Sequence, residues 1–137
     1  MPTGGAIKVP TAPGYGVLKL AAWLDRSPQH ITKDASDLAV VARWYENRND
    51  LTDELYGTDE GAEILARFDY DPGDAAVSVL ARDMGNALAL SRKNELRERL
   101  AVADLDSLAK YFSLDNTRVP EEQFVERRRR VGILVDI

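Results

Sequence analysis

The chain has no cysteine and a single histidine. The first absence excludes disulfides, thiolate nucleophiles and cysteine-ligated zinc. The second leaves His30 unable to build a multi-histidine metal site. Long apolar runs are also missing. None approaches the ~20 residues that a membrane-spanning helix needs, and the start Met-Pro-Thr-Gly-Gly has no basic region followed by an apolar core, as a secretory signal would. No membrane association is expected, and the cytoplasm is the expected address. Positive charge is in short supply: 18 Lys and Arg stand against 23 Asp and Glu, for a net charge of −5. The overall field therefore does not favour nucleic acid, and any phosphate contact has to be local.

What is present is the material of a folded domain. The 137 residues are 45% apolar and 30% charged, enough for one core. Ile7, Lys8 and Val9 form a short candidate strand ended by Pro10, and Thr11 to Pro13 read as a turn. From Gly14 the apolar residues Val17, Leu18, Leu20, Ala21, Ala22 and Leu24 recur at helical spacing and predict a buried helix over 14–26. Ser27-Pro28 stops it, because proline lacks an amide hydrogen and disfavours helix in the residue before it. Thr32 is a candidate cap for a second helix reaching residue 47, with Asp34 in its first turn, where a carboxylate suits the positive end of the helix dipole.

Further helices are predicted at 51–56, closed by Gly57, and at 59–68. Asp71-Pro72-Gly73 reads as a turn, after which Asp74 caps a helix to about residue 90. Others follow at 92–101, around Leu105 to Phe112, and at 121–135, where Val131 to Val135 have strand character and Gly132 weakens the helix. No repeat or linker divides the chain. The expected architecture is mainly α, a bundle of six to seven helices spanning residues 1–137 as a single domain.

The densest chemistry lies in the first two helices. Lys19, Trp23 and Arg26 stand at i, i+4 and i+7 and share a face that offers two cations and an aromatic surface, suited to an anionic, planar ligand. Asp34 and Asp37 share a face of the next helix, and the short connection lets the two faces meet. The same spacing also serves a structural ion pair, and a lysine at a helix edge commonly extends to solvent.

The stretch IKVPTAPGYGVLKLAAWLDR, followed by KDASDLAVVARWYE, resembles the segment after the catalytic half of AbiEii-type bacterial nucleotidyltransferase-like proteins. That family runs through a strand, a P-(S/T)-x-x-G turn, LLKLxAxxxR, a short gap and KDxxDL. A later stretch, DPGDAAVSVLARDMGNAL, is similar to a weaker family feature, a helix carrying Arg-Asp. The resemblance covers residues 7–90. It implies that this chain is the helical half of an α+β transferase fold. It also implies that Lys19 sits near nucleotide phosphates, with Arg26 and Lys33 as further cations, and that Asp34 belongs to the motif tied to activity. Asp37 and Trp23 are supporting residues.

Nucleotidyl transfer also needs carboxylates that hold divalent metal near the attacking and leaving oxygens. In the resembling family they precede this segment, as a Gly-Ser or Gly-Gly turn and an Asp-x-Asp strand. Here Thr3-Gly4-Gly5-Ala6 has the double glycine without the acidic strand. Asp69-Tyr70-Asp71 has the pattern but reads as a helix end and turn. Magnesium and a nucleoside triphosphate are thus expected only in a composite site, with no metal held by this chain alone. A fragment, a subunit paired with a separate catalytic chain, and a protein that has lost catalysis all fit. In each case the segment 1–12 lies where a catalytic partner domain would pack. An apolar face without its partner predicts a homo-oligomer or a partner chain. The alternative function is a non-catalytic, antitoxin-like or scaffold module.

Two other features stand out. Arg127 to Arg130 form the one basic run, which offers a local phosphate patch or a solvated helix face balanced by Glu121, Glu122 and Glu126. Trp23 and Trp44 fall on neighbouring helices, where core packing is the expected use of both.

Overall fold

A computed structural model describes residues 11–26 and 32–137. The candidate strand at Ile7 to Val9, the helix stop at Ser27-Pro28 and the loop residue His30 lie outside them. The described residues form a helical bundle, with no strand among them. Its elements are α1 (Ala12–Arg26), α2 (Thr32–Glu46), α3 (Asn49–Gly57), α4 (Asp59–Arg67), α5 (Pro72–Asn86), α6 (Leu90–Ala101), α7 (Leu105–Lys110), a 3-10 turn (Glu121–Gln123) and α8 (Phe124–Leu134). Among the described residues there are eight helices, and the short segments predicted at 51–56 and around Leu105 to Phe112 are α3 and α7. Among the described residues no helix is long and apolar enough to cross a membrane.

The centre of the bundle is α5. Gly73, Asp74, Ala75, Ala76, Val77, Val79, Leu80, Ala81, Met84 and Gly85 are all buried. A helix buried on nearly every side needs partners all around it, and α1, α2, α4 and α8 supply them. The alanines and glycines let those neighbours approach closely. From α1, Leu20 and Trp23 enter the core; from α2, Leu38, Val41 and Tyr45; from the C-terminal third, Leu108, Phe112, Val131 and Leu134. At roughly 1.5–3 kcal/mol per fully buried large apolar side chain, this shared core is the main source of stability.

Several helix ends differ from the sequence reading, for local reasons. Thr11 to Pro13 is a helix start rather than a turn: the Thr11 hydroxyl accepts a hydrogen bond from the Gly14 amide at 3.2 Å, and Pro13 sits in the first turn, where a missing amide hydrogen costs nothing. The same logic moves the start of α5. Asp71, not Asp74, is its cap and accepts from the Gly73 and Asp74 amides at 2.9 and 3.1 Å, with Pro72 as the first helical residue. That frees Asp74 for another role. The helix ends at Asn86, and α6 begins at Leu90.

Asp69 and Tyr70 adopt left-handed backbone conformations, with φ of 54° and 62°. They close α4: the Tyr70 amide donates to the Leu65 carbonyl at 2.7 Å and the Asp69 amide to the Ala66 carbonyl, the paired bonds that satisfy the last carbonyls of a helix. The Asp69-Tyr70-Asp71 pattern is therefore a helix end running into a helix cap. Residues 121–135 form a 3-10 turn and then α8, and Val131 and Leu134, in the stretch with strand character, are buried on its inner side.

Candidate functional site: the charged junction of the first two helices

Tyr15, Lys19 and Trp23 follow one another at four-residue steps along α1, so their side chains leave it on one side. The Asp34 and Asp37 carboxylates leave α2 one turn apart. Because α1 and α2 pack along each other, these rows meet. Lys19 Nζ lies 2.8 Å from Asp37 Oδ2 and 3.7 Å from Asp34 Oδ1. The ammonium also sits 5.4 Å from the centroid of the Tyr15 ring, within range of a cation–π attraction. Lys33 Nζ approaches the same Asp37 oxygen at 3.2 Å from one turn away on α2. Two ammonium groups therefore share one carboxylate, and a second carboxylate lies behind it.

Burial differs sharply across the cluster. The Asp34 side chain is 1% exposed, Asp37 19%, Lys19 22% and Lys33 73%. Lys19 is thus the member that reaches from the buried acid toward the surface. The hydrogen bond to Asp37 is the chief cause that raises the Lys19 pKa, against the opposing pull of burial. For Asp37, burial is the largest single influence and pushes upward. The hydrogen bonds from Lys19 and Lys33 together with their charges outweigh it, and the carboxyl lies below its ordinary value. Each partner favours the charged form of the other.

The structure brings Lys19, Asp34 and Asp37 together, as their spacing anticipates, and adds Lys33 through its contact with Asp37. It does not make Trp23 part of the same surface. Trp23 is 0% exposed, its indole nitrogen is buried with no acceptor among the described residues, and it offers no face to a ligand. The aromatic beside the ammonium is Tyr15, four residues before Lys19, a partner that i, i+4 spacing on a helix provides. Arg26 is the last residue of α1. Trp44 is 50% exposed rather than core and leans on Tyr15, with ring centroids 6.3 Å apart. Leu18, one turn beyond Tyr15 on α1, is also exposed.

The basic run of α8 has different partners from those its own helix suggested. Arg129 grips Asp74 with two nitrogens, at 2.8 and 3.3 Å. Arg130 adds a third bond to Asp74 at 3.0 Å and lies 3.6 Å from both Asp71 and Glu126. Arg128 binds Asp106 of α7 at 2.8 Å. Only Glu126, of the three glutamates expected to balance the run, joins this network, because the acids of α5 and α7 face α8 directly. Gly73 makes room for it: a Cβ there would stand 2.4 Å from Arg130 Nη2.

Among the described residues no group of three or more His, Cys, Asp or Glu side chains is arranged to hold a metal ion. Asp37, which carries two ammonium groups, does not fit a divalent cation as well. In comparisons with known proteins, no family model, no curated protein and no solved structure matches this chain.

Proposed function

We propose that this chain is the helical region of a nucleotidyltransferase-like protein, of the AbiEii type that its sequence resembles, and that it contributes Lys19 to a composite nucleotide site. The observation that carries the reading is the Lys19 ammonium, held 2.8 Å from Asp37 in front of the buried Asp34. The two motifs of the resemblance thus act as one unit. In such a site Asp37 and Tyr15 fix the lysine side chain, so that little rotamer freedom is lost when it meets a phosphate. Asp34 stands behind it as the buried acid of the motif, and Lys33 adds positive charge beside Asp37. Magnesium belongs to the complementary segment with the Asp-x-Asp strand, since the acids of this cluster are already occupied by ammonium groups.

Calorimetric titration of ATP, CTP, GTP and UTP with magnesium tests the reading, using this chain mixed with a protein that carries the Gly-Ser turn and Asp-x-Asp strand. Binding that needs both proteins and weakens at least about tenfold in Lys19→Ala, with the helical circular dichroism retained, is the expected result. Absence of binding, or undiminished binding in Lys19→Ala and Asp34→Ala, contradicts it.

A second reading, a non-catalytic binding module, is favoured by the exposed Leu18 and Trp44 beside Tyr15. A homo-oligomer or a stable complex without nucleotide affinity, measured by light scattering and calorimetry, is the outcome that selects it.

A further inference from the structure

A cavity of about 50 Å³ opens between α2, α5 and α8, on a different part of α2 from the Lys19 cluster, and Arg43, Arg127 and Arg130 all line it. Their circumstances differ. Arg130 is already met by Asp74 and Glu126. Arg43 has no ion pair among the described residues. Arg127 spends one terminal nitrogen on Gln123 at 3.3 Å, while its Nε is buried with no acceptor among the described residues. A buried cationic N–H without an acceptor is costly and uncommon in folded proteins. Glu46 is the single carboxylate in the lining, and Val77 and Phe112 form an apolar wall. Two guanidinium groups from different helices, one exposed and one partly buried, thus line one recess with a single carboxylate among the described residues.

We infer that this recess is an oxyanion site that takes a single phosphate group, held by Arg43 and Arg127 across the α2–α8 boundary. The volume is several times the roughly 10–15 Å³ that one water requires. It has room for one tetrahedral anion and none for a nucleoside, which would have to remain outside. Planar guanidinium forks match phosphate oxygens in pairs, and a phosphate oxygen supplies the acceptor that the Arg127 Nε lacks. The basic run, which reads as a possible patch for polymeric phosphate, is thereby divided: Arg128 and Arg129 bind carboxylates of this chain, and Arg127 turns inward to the recess. This inference does not rest on the nucleotidyltransferase reading and uses none of its residues.

Titration of inorganic phosphate into the full chain at low ionic strength, followed by calorimetry, is the test, with AMP as a second probe. Saturable binding of one phosphate per chain is expected. It should weaken at least about tenfold in Arg43→Gln and in Arg127→Gln, strengthen in Glu46→Gln as the competing carboxylate is removed, and stay unchanged in Lys19→Met. Arg43 is exposed, so its variant remains folded and informative if Arg127→Gln does not. Equal affinity for phosphate and AMP assigns a free phosphate, and tighter AMP assigns a nucleotide's phosphate; both support the site. No saturable heat at millimolar phosphate, or unchanged affinity in Arg43→Gln and Glu46→Gln, overturns it.

Discussion

Lys19 and Asp37 join α1 to α2 through a 2.8 Å ion pair in which neither side chain is more than about a fifth exposed, at 22% and 19%. Pairs left in open solvent contribute close to nothing, whereas shielding of this degree preserves a useful part of the attraction. The connection between the two helices is short, and the pair fixes their relative rotation at the point where the two motifs meet.

The first prediction concerns pH. Asp37 has a folded pKa below its ordinary 3.8, so its contribution to stability is present above pH 3.8 and lost as pH falls through the lower folded value. Lys19 has a folded pKa above its ordinary 10.5, so its contribution is present below pH 10.5 and lost as pH rises through the higher folded value. Between these limits, Lys19→Met should lower stability by an amount that hardly varies with pH. Urea denaturation across the pH range checks this. The difference between wild type and variant should shrink only at the acid and alkaline ends.

Asp74 is the anchor of the α5–α8 boundary. Its side chain is 6% exposed and it holds Arg129 and Arg130 together. Without Asp74, Arg129 is 47% exposed and can turn to water, and Arg130 keeps Asp71 and Glu126, so the loss is that of charge-assisted hydrogen bonds, about 1.5–3 kcal/mol. Asp74→Ala should destabilise by that amount in urea unfolding, more than Asp106→Ala, whose bond to Arg128 is exposed.

Tyr45 is buried and donates its hydroxyl to Asp83 Oδ2 at 2.7 Å. Burial first, and the Asp83 carboxylate second, push its phenol well above the ordinary value of 10.0. In spectrophotometric titration at the phenolate band, one tyrosine should stay protonated until the protein unfolds at high pH. Tyr45→Phe should remove that signal and cost about 1.5–3 kcal/mol, the scale of a hydrogen bond to a charged group.

Gly61 marks the close approach of α3 and α4. A Cβ at this position would fall 2.1 Å from the Glu54 carbonyl oxygen, which belongs to the backbone and cannot turn aside. Gly61→Ala should thus destabilise by about 1–3 kcal/mol or more, against the gain in helix propensity that alanine brings at an unconstrained helical site. Thermal unfolding followed by circular dichroism reads the sign directly.

How far the sequence disclosed this molecule depended on the range of each interaction. The meeting of Lys19 with Asp34 and Asp37 was legible because spacings of three and four residues set each face, and a short connection set the two helices side by side. Asp71 was legible as a turn residue but not as a helix cap, since Pro72-Gly73 signals a turn and a helix start alike. The grip of Arg129 and Arg130 on Asp74 was not legible. Those residues lie 55 and 56 positions apart, and nothing local announces that α5 and α8 are neighbours, whereas Glu121, Glu122 and Glu126 stand at helical spacing from the run. Trp44 misled for a related reason: its helical position does not reveal that Tyr15 shields only one side of it. The recess at Arg43 and Arg127 combines all these difficulties, because it exists only where three helices converge.

The central claim is that Lys19 and Asp37 act as a unit rather than as two separate surface charges. A double-mutant cycle with Lys19→Met, Asp37→Asn and the combined variant, measured by urea denaturation near neutral pH, tests it most directly. A coupling energy of about 1 kcal/mol or more is predicted from a shielded ion pair that also forms a hydrogen bond. Additive effects, with coupling below about 0.3 kcal/mol, would mean that the junction is a coincidence of two solvated side chains.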